Sequence, residues 1–160
     1  MPSFRPYRRG LLGLALGLSL AGFAGQPASA RTSARLQPLE VVTDKGAFRF
    51  QVEFVDNDRD RERGLMFRKI LAPDRGMLFD FKTERPVAFW MKNTFIPLDI
   101  VYIRADGTVF SIVRNAVPQD KTPLPSGGPI RGVLEIPGGR AGEIGLLPGD
   151  RVRHRIFPGG

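Results

Sequence analysis

From Phe48 to Phe54 large apolar residues alternate with polar ones: Phe48, Phe50, Val52 and Phe54 against Arg49, Gln51 and Glu53. A period of two puts each set on its own face of a pleated strand, so the stretch predicts a half-buried β-strand. Asp44-Lys45-Gly46 reads as a turn, and Leu39 to Thr43 as a short partner strand folded back on the first. Asp56-Asn57-Asp58 then offers helix-capping side chains. Asp58, Asp60 and Glu62 come early and Arg61 and Arg63 late, the order a helix dipole favours, so a short helix is expected from Asn57 to Met66. Its charges at helical spacing read as a solvated face.

Gly76 to Phe81 and Val87 to Met91 predict strands separated by the polar loop Lys82 to Pro86. Leu98 to Arg104 and Thr108 to Val113, joined by Ala105-Asp106-Gly107, predict a hairpin. Pro118 to Pro129 carries four prolines and two glycines and reads as one long loop, the kind used for lids and binding segments. Gly132 to Ile136 is a further strand, followed by a short helix from Arg140 to Ile144 and a last strand ending near Phe157. The expected fold is mainly β, a β-rich α+β domain built as an antiparallel sheet or small barrel with one or two short helices.

The first 30 residues have a different texture. Arg5, Arg8 and Arg9 precede an apolar run from Leu11 to Ala24, and Ala28-Ser29-Ala30 supplies the small-x-small pattern of a signal-peptidase site. This predicts a cleaved export signal over residues 1–30 and a periplasmic or secreted protein. The run is short and glycine-containing for a spanning helix, which needs roughly 20 apolar residues. Arg8-Arg9-Gly10-Leu11-Leu12 also suits twin-arginine export. Residues 31–37 are small and polar and read as a disordered leader, leaving 38–157 as one domain.

The chain has 24 Lys+Arg against 16 Asp+Glu, a net charge of +8; three of those arginines lie in the signal, so 21 bases and 16 acids remain, or +5. That excess is interleaved with acids and forms no basic stripe, which argues against nucleic acid and leaves weak steering toward anionic glycans, lipid headgroups or acidic peptides. No cysteine is present. Disulfides, thiol catalysis and thiolate metal sites are therefore excluded, and the apolar core must carry the stability.

Arg63-Gly64-Leu65-Met66-Phe67-Arg68, Gly76-Met77-Leu78-Phe79, Phe89-Trp90-Met91-Lys92-Asn93-Thr94, Ile96-Pro97-Leu98-Asp99, Asp106-Gly107, Val133-Leu134-Glu135 and Gly149-Asp150 occur here in this order. The ordered set resembles the domain-of-unknown-function family 192 over residues 38–157. The resemblance implies a small β-rich domain, often exported, with no agreed reaction, cofactor or partner. One departure lies in the long loop, where the family tends to place a tyrosine before its serine and Pro123-Leu124-Pro125-Ser126 has none.

If Val87 to Lys92 is extended, Phe89 and Met91 face one way and Trp90 and Lys92 the other. An indole beside an ammonium is a platform for a sugar ring or an anion; the bland alternative is a buried Trp90 with the Lys92 stem laid over it. Asp99 sits in an apolar strand, where a carboxylate needs a partner. Lys92 or Arg68 is the expected one, in a pair that either caps the Asn93-Thr94 turn or orients a ligand. Glu135 and Asp150 are its rivals, although Asp150 after Pro148-Gly149 reads as a turn former. The sole histidine, His154, has no nucleophile-elbow serine to serve.

These residues predict a monomeric, exported ligand-binding or accessory module of the envelope. Arg68, Trp90, Lys92, Asn93, Thr94 and Asp99 would surround a small polar cleft for a small polar or anionic envelope ligand, with no cofactor, no nucleic acid and no stable membrane insertion once the signal is gone. The competing reading is a hydrolase or isomerase acting on carbohydrate or peptidoglycan with Asp99 or Glu135 as acid or base. A remoter one is copper(I) held by Met66, Met77 and Met91, residues that core packing also explains.

Overall fold

The computed structural model of the chain describes residues 36–158. The expected signal segment, and the leader as far as residue 35, lie outside the described residues. The elements run β1 (Leu36–Thr43), β2 (Gly46–Val55), α1 (Asp58–Arg63), β3 (Arg75–Arg85), β4 (Ala88–Phe89), β5 (Leu98–Ile103), β6 (Val109–Ala116), β7 (Leu124–Pro125), β8 (Ile130–Pro137), α2 (Arg140–Glu143) and β9 (Arg151–Arg153). Among the described residues no helix is long and apolar enough to cross a membrane.

Seven strands form one sheet in the order β6-β5-β8-β3-β2-β1-β9, and β4 pairs with β7 beside it. The pairs are antiparallel except β2 with β3, which run parallel. A parallel pair needs a crossover, and residues 56–74, including α1, supply it. The sheet curls until its edges touch. Thr108 bridges Arg151, and backbone bonds from Val109 to Asp150, Gly149 to Val109 and Val152 to Gly107 fasten that end. The domain is thus mostly β, a curled mixed sheet forming a half-barrel with two short helices.

The alternating strand behaves as its pattern requires. Phe50 and Val52 are buried inside the curl, with Phe48 and Phe54 packed at its margin, while Arg49 and Gln51 face solvent. The central strands β5 and β8 are buried on both faces, which is why their sequences are near-continuous apolar runs. One face, with Leu78, Val101, Leu134 and Ile136, belongs to the inner core, which α2 plugs through Ala141 and Ile144. The other, with Met77, Phe79, Ile100 and Tyr102, is covered by the segments around Leu65, Met91 and Ile130.

Several expectations are corrected. Leu36 and Gln37 are not leader but the start of β1, paired opposite Glu53 and Val52; Gln37 also accepts a bond from the Arg155 side chain at 2.8 Å. The helix stops at Arg63, three residues early, because Gly64 turns the backbone out of the helical region with φ 47°. Asn57 does cap it, its side-chain Oδ1 accepting the Asp60 backbone amide at 3.0 Å. Asn57→Ala should therefore cost about 1 kcal/mol, seen as a lower urea midpoint at an unchanged slope. The expected loop Lys82 to Pro86 is mostly strand: β3 continues to Arg85 through an irregularity, with Lys82 at φ 66° and its ammonium held by Asp56 and Asp80. The long Pro118 to Pro129 loop contains β7 and is pinned, the Tyr102 hydroxyl donating to Leu124 and the Ser111 hydroxyl to Ser126.

Candidate functional site

Register across the sheet decides which side chains can meet. Glu53 lies opposite Met77, Met77 opposite Glu135, and Glu135 opposite Ile100. This row lies on the outer face, under the crossover. Asp99 is opposite Ile136 in the next row, so it points into the other face. The two carboxylates that looked like rivals in sequence are separated by the sheet itself.

Asp99 is 0% exposed and fully engaged. Its Oδ1 accepts the amides of Asn115 at 2.8 Å and Gly139 at 3.1 Å, and its Oδ2 accepts that of Ala141 at 2.7 Å. Gly139, the residue at the N-cap of α2, has no side chain to offer, so Asp99 performs that duty from a neighbouring strand. The expected pairing with Lys92 or Arg68 is not formed. Arg68 binds Glu53 at 2.6 Å, and the Lys92 ammonium lies 5.2 Å from the centre of the Trp90 ring.

Over the outer row opens a cleft of about 320 Å³. Leu65, Phe79 and Phe89 give it an apolar base, Trp90, Thr94 and Met66 one wall, and Arg61, Arg63 and Arg85 with Asp58 and Glu62 a charged rim. Arg61 and Arg85 stand over the Phe81 ring at 5.3 and 5.0 Å. Gly64 is the opening in this wall. A Cβ there would lie 3.4 Å from the Phe79 ring and 3.8 Å from Glu135 Oε2, so its absence lets the cleft approach that carboxyl.

Glu135 is 4% exposed, and its Oε2 has no hydrogen-bond partner. Burial pushes its carboxyl up to about 8, the Arg68 charge opposing in part. Glu135 is therefore protonated at neutral pH, an unused O–H donor at the base of a cleft. Tyr102, on the same face, is pushed well above its ordinary value by burial and then by Glu135.

Of the six residues expected around a cleft, Trp90 and Thr94 line it. Trp90 is 49% exposed and Met91 fully buried, so the alternation through this segment holds although the strand is only two residues long. Asn93 braces the wall from behind. It adopts φ 56°, its carbonyl accepts the Phe67 amide at 2.8 Å, and its amide donates to Met66 Sδ at 3.9 Å. Lys92 covers the outer side of Trp90, Arg68 serves Glu53, and Asp99 is on the far face. Asp150 closes its turn by accepting the Leu147 amide at 2.8 Å. Met77 and Met91 are packed in the outer core, and only Met66 reaches the cleft. His154 contacts Gln37 at 3.0 Å and stacks on Phe54; Ser126 is turned to Gly128.

The family described as uncharacterized ACR, DUF192, matches residues 40–154. The chain belongs to the DUF192 family. Two solved structures share the fold at high identity. One, named a candidate transcription regulator, from Sinorhizobium meliloti 1021, is 41% identical with a TM-score of 0.74, and the match covers 76% of this chain and 95% of that one. The other, a protein of unknown function from Novosphingobium aromaticivorans DSM 12444, is 40% identical with a TM-score of 0.75, covering 86% and 99%. No curated protein is similar enough to match. In this DUF192 chain the motif residues Gly64, Leu65 and Met66, Phe79, Phe89, Trp90 and Thr94, and Glu135 all line this cleft, while Asp99 and Asp150 serve the fold. Sequence reasoning missed Gly64 and Phe79 as cleft residues, and the signal that pointed to them was their place in the same motifs.

Proposed function

We propose that this DUF192 domain is an exported ligand-binding module whose cleft holds a small, neutral, ring-bearing polar molecule, an N-acetylated sugar of the cell envelope being the class that fits. The observation that carries the reading is the Glu135 carboxyl, buried and without a partner at the base of a cleft that Gly64 leaves open. An unpaired buried polar group is costly to a fold and becomes useful when a ligand completes its hydrogen bond. A protonated carboxyl donates to an acetamido carbonyl, Phe79 and Phe89 pack against the methyl group, and the half-exposed Trp90 ring offers a stacking face. An ionic group at the deep end would be disfavoured by the same apolar base.

Of the two acids an enzyme reading named, only Glu135 lines the cleft, because Asp99 lies across the sheet with its oxygens occupied; of the acids at the rim, Asp58 is held by Arg61 at 2.6 Å. Nothing brings the regulator name of the Sinorhizobium relative to this chain, whose helices among the described residues, of six and four residues, are too short to read a groove.

The test is emission from Trp90, the sole tryptophan, titrated with N-acetylglucosamine. A saturable change is expected at pH 7, weakening as pH passes about 8 and Glu135 ionises. Glu135→Gln, which keeps a donor at every pH, should bind without that pH dependence, and Glu135→Ala should not bind. Emission unmoved by the sugar in the wild-type chain would refute this ligand class.

A further inference from the structure

Three loops beside the cleft converge on one another. The Phe67 amide bonds the Asn93 carbonyl, the Met91 amide the Asp120 carbonyl, and the Gln119 amide both Met91 and Thr94. Segments 66–71, 90–96 and 117–121 are therefore tied into a single surface. Its tips are apolar and exposed: Phe67 is 57% exposed, Ile70 85%, and Phe95 and Val117 stand out beside them, with the Phe67 and Phe95 rings in edge contact at 6.1 Å.

Two features make this more than scattered surface hydrophobicity. First, Phe67, Asn93 and Gln119, one from each loop, all have positive φ, at 65°, 56° and 68°. A phenylalanine in that region is a costly choice, and at Phe67 it holds a bare aromatic ring in water, so folding alone would favour another residue there. Second, the three segments carry four bases and one acid, Asp120. Arg68 is taken by Glu53, but no ion pair among the described residues involves Lys69, Lys92 or Lys121. Apolar tips fringed by cations that no carboxylate neutralises, Lys92 among them although its ammonium also lies over Trp90, are complementary to a surface that is greasy below and negative above.

We infer that these loop tips form a docking face for an anionic lipid surface, with Phe67, Ile70, Phe95 and Val117 entering the headgroup region and Lys69, Lys92 and Lys121 meeting lipid phosphates. The contact is peripheral and reversible, since it uses loop tips and no spanning segment. It stands independently of the sugar reading, because neither Phe67 nor Phe95 lines the cleft. It would hold the cleft mouth, which shares the Trp90 loop, against the membrane.

The test is co-sedimentation of residues 31–160 with vesicles of phosphatidylglycerol and phosphatidylcholine, and with phosphatidylcholine alone. This part holds the whole curled sheet and both core clusters, every strand and core residue lying between Leu36 and Phe157. Binding to the anionic vesicles alone is expected, weakening with salt. Phe67→Asn with Phe95→Ser should reduce it about tenfold or more without lowering the melting temperature, since asparagine tolerates the positive φ. The triple variant Lys69→Gln, Lys92→Gln, Lys121→Gln should reduce it about a hundredfold, which keeps the proposal testable should the aromatic variant misfold. No sedimentation with anionic vesicles, or binding indifferent to both variants, overturns the inference. A concentration-dependent dimer abolished by the aromatic variant would assign the face to a second copy of the chain instead.

Discussion

Asp99→Ala should lower the unfolding free energy by about 3 kcal/mol, because it removes the acceptor of three amides, one buried and two partly buried, the buried one alone worth about 1–3 kcal/mol when left unsatisfied. Those of Asn115, Gly139 and Ala141 have Asp99 as their shared acceptor. Asp99→Asn keeps one acceptor oxygen and turns an amide nitrogen toward a donor, so it should cost roughly half as much. Urea unfolding reports both, as a shift in midpoint at constant slope. The same variants should bind sugar normally wherever they remain folded, since Asp99 faces away from the cleft. An Asp99→Ala protein with wild-type stability would mean that the strand register around β5 and β8 is wrong.

Glu135 should act in the opposite direction. In the folded protein it keeps its proton up to about pH 8, and in the unfolded chain it releases it near the ordinary 4.5. Between those values the folded state binds the extra proton, so stability falls as pH rises, by about 1.4 kcal/mol per unit at full slope. Below pH 4.5 both states are protonated and the term vanishes; above pH 8 both are ionised and the loss is complete. Glu135→Gln removes the term. Relative to wild type it should gain on the order of 4 kcal/mol on going from pH 4 to pH 8. His154, whose folded value burial pushes down to about 4, takes stability away as pH falls below its ordinary 6.5, but it does so in both proteins and cancels in the comparison. A buried carboxyl that costs the fold stability as pH rises toward neutrality is one that folding does not explain, which is the reason for looking to a ligand. Equal pH profiles for the two proteins would remove that reason.

The parts of the fold that could be read from sequence are those with one exposed face. Phe48 to Phe54 alternates because β2 has water on one side, and Trp90 could be placed outward from its neighbours Phe89 and Met91 even though the segment is hardly a strand. In β5 and β8 the same method has nothing to work on: both faces are buried, so Asp99 and Glu135 each appear as a carboxylate in an apolar run with no sign of which way they point. Only the pairing of Asp99 with Ile136 and of Glu135 with Met77 and Ile100 separates them. The cleft is also non-local. It needs the parallel pairing of β2 with β3, which carries Gly64 and Leu65 over the sheet, and the return of β8, sixty and more residues later in the chain, to put Glu135 beneath them. Arg68 and Lys92 were reasonable partners for a lone carboxylate, but a nearer acid and a nearer ring had already claimed them.

The binding reading requires Glu135 to sit protonated and unpaired beneath an open cleft. The most direct measurement is the ¹³C resonance of its side-chain carboxyl through a pH titration, alone and with N-acetylglucosamine. A titration midpoint near 8 that moves upward when the sugar is present is the expected result. A midpoint near 4.5, unmoved by the sugar, would show that the carboxyl is ionised and already satisfied, and the cleft would lose its case as a binding site.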